Sequence, residues 1–304
     1  MLRNKKIIIT WGAGFIGSHL VDKLVELGNE VIVIDNESAN SNDSFFWNER
    51  AKNYKYDICD YEKIRPLFDK VDYVFHLAAE ARIQPTLENP ILAAKTNTVG
   101  TCTILQCAKE ANIKRVIYSS TSSAYGIVNK PPLDEDMLDD CLNPYSVTKV
   151  SGEKLCKMYT KLFGLDTIIF RYFNVYGPRE PLKGSYAPLV GIFLRQYKAG
   201  EPMTIVGDGE QRRDFTHVDD VVQANINAAL FLNNPNPASG EVINVGTGTN
   251  YSVNDIANMI GGATVNIPAR DGEARETLAN TTKLQALLGF KPKSRLKDYI
   301  DGSK

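Results

Sequence analysis

Histidine and cysteine are scarce in this chain, with three and five residues among 304. The histidines (His19, His76, His217) fall nowhere near ligand spacing. The cysteines (Cys59, Cys102, Cys107, Cys141, Cys156) form no Cys-x-x-Cys. That excludes a recognisable metal site and a disulfide framework, and it suits buried, reduced thiols in a cytoplasm. An excess of charge of one sign is also missing. Lys and Arg number 35 against 36 Asp and Glu, a formal net charge of -1, so nothing favours nucleic acid or an anionic membrane surface as partner. No apolar run approaches the ~20 residues of a membrane span. The basic start at Arg3, Lys5 and Lys6 leads only into a strand-length run, too short for a signal peptide. There are no repeats or low-complexity tracts. What remains is an ordinary globular composition, 43% hydrophobic and 23% charged, in a chain long enough for one large core or two coupled domains.

The first half alternates strand and helix patterns. Lys6–Thr10, Val31–Ile34, Val71–Leu77, Arg115–Ser119 and Thr167–Arg171 read as buried strands. Between them, Phe15–Leu27 carries Ile16, Leu20 and Leu24 on one stripe and stops at Gly28, and Ile91–Ala111 reads as one long helix. Asn143 and Pro144 start a further helix. Alternation of this kind implies a doubly wound parallel sheet covered on both faces, an α/β fold of Rossmann type. After Gly177 and Pro178 the pattern loosens, and Ser252 with Asp255 marks a capping box for a helix through Ile260. The expected division is a cofactor-binding domain at 1–177 and a smaller substrate-holding cap at 178–304, with a helix near 216–232 packing back onto the sheet.

Gly12, Gly14 and Gly17 lie between the first strand and the first helix, where a backbone turn can approach a pyrophosphate and aim a helix N-terminus at its charge. Asp35 ends the next strand; a carboxylate there can hold both ribose hydroxyls and repels a 2'-phosphate, which favours NAD over NADP. Trp11 breaks the pattern, standing where similar turns prefer a third glycine. Either it strains the turn and crowds the diphosphate, or it keeps a negative φ and points away.

Tyr145 and Lys149 sit one helical turn apart, below a hydroxyl-rich strand end at Ser119–Ser123. A phenol near pKa 10 is a poor base at neutral pH unless a fixed cation lowers it, and Lys149 is placed to do so. With a dinucleotide nearby, the pair can take a hydroxyl proton while a hydride leaves the same carbon. His76 reads as structural, and Asp214 as a partner or cap.

Taken in order, the Gly-rich turn, His76–Ala79, Asn97–Thr101, Ser119–Thr121, Tyr145-x-x-x-Lys149, Arg171–Pro178, Gly207–Phe215 and Arg270-x-Gly-Glu273 cover nearly the whole chain. With them the chain resembles the extended short-chain dehydrogenase/reductases, in particular the NAD-dependent nucleotide-sugar epimerase/dehydratase group and its UDP-glucose 4-epimerase branch. The resemblance implies that Gly12, Gly14, Phe15, Ile16, Gly17, Asp35 and Asn36 hold the adenosine diphosphate half of NAD, with Asp57 and Ile58 near the adenine. It places Leu77, Ala78, Ala79, Asn97, Ser119, Tyr172, Tyr145 and Lys149 against the rest of the cofactor, and makes Thr121, Tyr145 and Lys149 the catalytic set. Ser122, Ser123, Asn174, Arg213, Arg270 and Thr277 would face the nucleotide-sugar, a UDP-sugar by preference. It further implies a homodimer through Ile91–Ala111 and Tyr145–Phe163. Ser122 and Ser123 follow Thr121 where 4,6-dehydratases of the group carry acids, so water elimination is not expected. A UDP-uronic acid epimerase or decarboxylase stays open, as does a catalytically silent nucleotide-binding protein on account of Trp11. Thr277 is small, which leaves room for an N-acetyl group on the sugar.

Overall fold

The structure is a computed structural model that describes residues 2–39, 44–181, 188–231, 238–269, 274–293 and 295–304. Six strands follow in chain order: β1 (Lys6–Thr10), β2 (Glu30–Ile34), β3 (Lys52–Tyr54), β4 (Tyr73–His76), β5 (Arg115–Thr121) and β6 (Thr167–Tyr172). They join a seventh, Glu241–Val245, in one sheet with the order Glu241–Val245, β6, β5, β4, β1, β2, β3. Every pairing in it is parallel. Alternation along each strand feeds two separate cores. Ile7, Ile9, Val31 and Val33 face one layer, and Ile8, Ile32 and Ile34 face the other.

On the first face lie α1 (Phe15–Glu26) and the Val218–Leu230 helix, which contribute Leu20, Leu24, Val221 and Ala228 to the core. Gly28 closes α1 at φ +81°, a conformation a side chain would strain. On the second face lie the Thr101–Glu110 helix and the Pro144–Phe163 helix, contributing Ile104, Leu105, Cys156 and Tyr159. The latter starts in a capping box between Asn143 and Ser146.

Two elements differ from the sequence reading. The helix expected over Ile91–Ala111 is three pieces, Pro90–Ala94, a π-helical turn at Lys95–Gly100, and Thr101–Glu110. The wide turn forms where the Asn97 amide is drawn to the backbone of Glu80, accepting from its N–H at 2.7 Å and donating to its carbonyl at 3.1 Å. The segment after 178 also returns a strand to the main sheet as well as the expected helix. Glu241–Val245 reads as a strand only once its partner β6 is seen.

Several of the later elements form a small third layer. The Leu189–Lys198 and Val253–Ile260 helices enclose a third core of Val190, Phe193, Met203, Ile205, Phe215 and Ile256. Ser252 and Asp255 form the capping box expected for the second of these. Met203–Val206 pairs with Thr264–Ile267, and Arg212–Asp214 pairs with Asn250–Ser252. No helix among the described residues is long and apolar enough to cross a membrane.

Candidate active site

Residues at the C-terminal ends of β1, β2 and β4 line one cleft, the place where an open parallel sheet binds its ligands. Gly14 caps α1 without a side-chain hydrogen bond and the first turn holds no acid, so its free N–H groups suit an anion. Gly17 is obligatory, because a Cβ there would stand 2.1 Å from the Trp11 carbonyl oxygen. Asp35 is buried, its carboxylate accepting from the N–H groups of Ala13 at 3.1 Å and Glu37 at 2.8 Å. Burial outweighs these bonds and raises its pKa. Asp35, Asn36, Ile58, Ala78 and Ala79 line the cleft together, and Asp57 caps the turn beside Ile58 through the Cys59 N–H.

Trp11 takes the strained course. Its φ is +58°, and the indole Nε1 comes within 2.9 Å of where a Cβ on Gly14 would stand. The ring lines the same cleft. The alternative of a negative φ is therefore overturned: the glycine-type backbone is kept and the side chain is directed at the turn. The uncapped α1 terminus, Asp35 and the wall from Ile58 to Ala79 fit a dinucleotide, with Trp11 as an added wall.

His76 anchors the strand ends. The Thr10 hydroxyl donates to its Nδ1 at 2.8 Å and accepts from the N–H groups of Leu77 and Ala78 at 3.1 and 3.0 Å. Nε2 contacts the Thr101 hydroxyl at 2.9 Å. Burial lowers the His76 pKa to about 3, so the ring is a neutral strut that fixes Leu77 and Ala78.

Thr121 ends β5 with its hydroxyl accepting from the Ser123 N–H at 3.1 Å and near enough to the Tyr145 phenol to lower its pKa. Ser122 and Ser123 begin the short 3-10 helix that follows, partly buried beside it. Lys149 is buried, its Nζ 4.4 Å from the Tyr118 ring centroid. Burial raises the Tyr145 phenol, Thr121 opposes that only in part, and burial lowers Lys149 to about 7. The pair without its cofactor leaves Tyr145 a neutral phenol at neutral pH, and a further positive charge in the cleft has to complete its activation.

Other sequence candidates differ in what their side chains do. Asn97 is fully enclosed, its amide shared between Glu80 and the Thr148 hydroxyl at 2.9 Å, so it shapes the cleft wall from behind. Tyr172 and Ser119 bond each other at 3.0 Å, and Asn225 donates to the Tyr172 hydroxyl at 2.8 Å. Asn174 is exposed, its carbonyl accepting from the Thr216 N–H. Arg213 Nη1 donates to the Arg212 carbonyl at 2.9 Å. The Thr277 N–H also bonds Arg212, and its own hydroxyl is buried without a hydrogen-bond partner among the described residues. Arg270 lies outside the described residues. Asp214 is buried and accepts from Thr247, Gly248 and Ala279, a cap for that turn. Sequence reasoning missed Thr148, Ser120, Glu153 and Arg171. Glu153 follows Lys149 by four residues, a spacing that carried the signal.

No group of three or more metal-ligating side chains is present among the described residues. A dinucleotide cleft joined to a Thr, Tyr and Lys set at the ends of a parallel sheet defines a short-chain dehydrogenase-type nucleotide enzyme. The chain belongs to the NAD-dependent epimerase/dehydratase family, whose model matches residues 7–246. It is similar to the UDP-glucose 4-epimerase of Thermotoga maritima, solved with UDP-glucose: 37% identity, TM-score 0.90, 97% of this chain and 96% of that one. It is also similar to the UDP-N-acetylglucosamine 4-epimerase of Methanobrevibacter ruminantium, solved with UDP-N-acetylmuramic acid: 31% identity, TM-score 0.91, 99% and 97% covered. A UDP-N-acetyl-alpha-D-glucosaminuronate decarboxylase of Bacillus cytotoxicus is 38% identical over 274 residues, 84% of this chain and 79% of that protein.

Proposed function

We propose that the protein is an NAD-dependent 4-epimerase of a UDP-sugar, acting on UDP-glucose and UDP-galactose and on the N-acetylated pair. The observation that carries this reading is the Tyr145 phenol beside the Thr121 hydroxyl at the end of β5, one helical turn from a buried Lys149. NAD held by the Gly-rich turn and Asp35 would supply a reversible hydride acceptor for sugar C4 and a positive charge in the cleft. Tyr145 takes the proton of the 4-hydroxyl and gives it back, Thr121 holds the sugar oxygen or relays that proton, and Lys149 orients the cofactor ribose and stabilises the phenolate. Oxidation yields a 4-keto sugar that turns over in the pocket, so the reaction has no net redox change. Arg213, with Arg270, serves the nucleotide diphosphate, since guanidinium forks match its oxygens.

Ser122 and Ser123, uncharged beside Thr121, support epimerisation over dehydration. A uronic acid reaction is the second reading, favoured by the decarboxylase relative. Incubation with a panel of UDP-sugars, with products separated by chromatography, decides between them. Interconversion of UDP-galactose and UDP-glucose is expected, with UDP-N-acetylglucosamine turned over as well because Thr277 leaves space. Release of carbon dioxide from a UDP-uronic acid, with no neutral sugar converted, would replace the first reading by the second.

A homodimer through the helical layer is part of the proposal. Leu92, Val99, Val147 and Leu162 are exposed on the helices at Pro90–Glu110 and Pro144–Phe163, an apolar face that a second copy would cover. Sedimentation should give a dimer that Val99→Glu converts to monomer. A monomeric wild-type chain at micromolar concentration would remove this part of the proposal.

A further inference from the structure

Glu153 repeats the four-residue step that separates Tyr145 from Lys149, so the three side chains follow one face of the Pro144–Phe163 helix. It is 2% exposed. A buried carboxylate persists only where its charge is matched and its lone pairs are filled. Oε1 accepts from the Ser120 hydroxyl at 2.5 Å and from Arg171 Nε at 2.9 Å, and Oε2 accepts from Arg171 Nη2 at 2.8 Å. Arg171 continues to Asp139 at 2.6 Å and lies over the Tyr125 ring at 4.6 Å. Ser120 precedes Thr121 on β5, and Arg171 precedes Tyr172 on β6. One carboxylate thus joins the helix carrying Tyr145 and Lys149 to the two strand ends of the site.

The other groups around Lys149 leave Glu153 as its near anion. His76 from β4 is neutral, with burial and Lys149 itself lowering its pKa to about 3. Burial raises the Tyr118 phenol from β5 and the Cys156 thiol on the same helix, so both stay protonated. Burial likewise raises Tyr145. Arg171 from β6 is a cation held off by Glu153, and Asp139 lies on its far side. Burial lowers Lys149, opposed by Cys156 and then by Glu153.

We propose that Glu153 is a positioning residue of the active site, tying the helix that carries Tyr145 and Lys149 to the ends of β5 and β6 through Ser120 and Arg171, with its carboxylate one helical turn from Lys149. This rests on the Tyr145–Lys149 mechanism above. The test compares wild type, Glu153→Gln, Glu153→Asp and Ser120→Ala as holoenzymes. Two readouts are taken: the pH profile of kcat, and the 295 nm phenolate absorbance that Tyr145→Phe removes. Loss of the Glu153 charge removes the carboxylate one turn from Lys149 and leaves Arg171 to Asp139, so Lys149 gives up its proton more readily and the phenolate loses its cation. Glu153→Gln should move the phenolate midpoint upward by about one unit and lower kcat near pH 7.5 about tenfold, with KM within twofold. Glu153→Asp should restore most of the shift, and Ser120→Ala, which keeps the charge, should move the midpoint little. A Glu153→Gln enzyme with an unmoved midpoint overturns the proposal, whether or not kcat falls. The absorbance titration needs no sugar, so a wild type that converts no UDP-sugar would refute the functional reading and still leave the Glu153 assignment decided.

Discussion

Tyr145→Phe is expected to lower kcat about a thousandfold, roughly 4 kcal/mol of transition-state stabilisation, with NAD affinity within a few-fold of wild type. The substitution removes one oxygen. The ring keeps its place on the helix, and Thr121 keeps the Ser123 N–H. Lys149 holds its position over the Tyr118 ring independently of the phenol. Fold and cofactor site should therefore survive, and only the proton acceptor is lost. Steady-state turnover of UDP-galactose beside an NAD titration checks both halves. Near-normal turnover would place the base elsewhere in the cleft.

Trp11→Gly is expected to tighten NAD binding about tenfold, close to 1.4 kcal/mol. A non-glycine residue at φ +58° carries about 1–2 kcal/mol of strain, and the indole crowds the face of Gly14 that an approaching diphosphate needs. Relief of strain is offset by two losses, the contact the ring makes with the core beneath α1 and the greater freedom of glycine in the unfolded chain, about 0.4–1 kcal/mol. The cofactor-free melting temperature should change little. The gain on adding NAD should grow, since a ligand stabilises by RT ln(1 + [L]/Kd) and Kd falls. Unchanged affinity would make Trp11 a harmless wall. Wild-type protein that releases no NAD on acid treatment, with no melting gain when NAD is added, would favour the silent nucleotide-binding alternative.

The parts of this fold that were legible in the sequence are those where one local rule decides. β1 has its expected bounds because a continuous apolar run enters a Gly-rich turn, the helix start expected at Asn143 and Pro144 forms, and so does the capping box expected of Ser252 and Asp255. The Asn97 turn was hidden because its cause is a bond to Glu80, 17 residues away. The Glu241–Val245 strand was hidden because five residues carry little periodicity until β6 pairs with them. At the candidate site, the helical step from Tyr145 to Lys149 was legible from spacing, and Thr121 entered only through the family resemblance. The protonation of the pair was not legible, because it depends on how deeply each group is buried. Glu153 was overlooked because a Glu on a helix is ordinarily solvated, and its burial depends on Arg171 from another strand.

The late arrival of Glu241–Val245 bears on how the protein is made. Its backbone supplies the outer hydrogen-bond partners of β6, from Ile168 to Tyr172, and the Val218–Leu230 helix shields the same face of the sheet. A nascent chain halted at Gly177 would display β6 as a bare apolar margin, open to pairing with any neighbouring strand. The nucleotide-binding half is complete on the ribosome only after residue 245 has emerged. Truncation or domain exchange at the apparent boundary would therefore yield an aggregating fragment in place of a minimal cofactor-binding module.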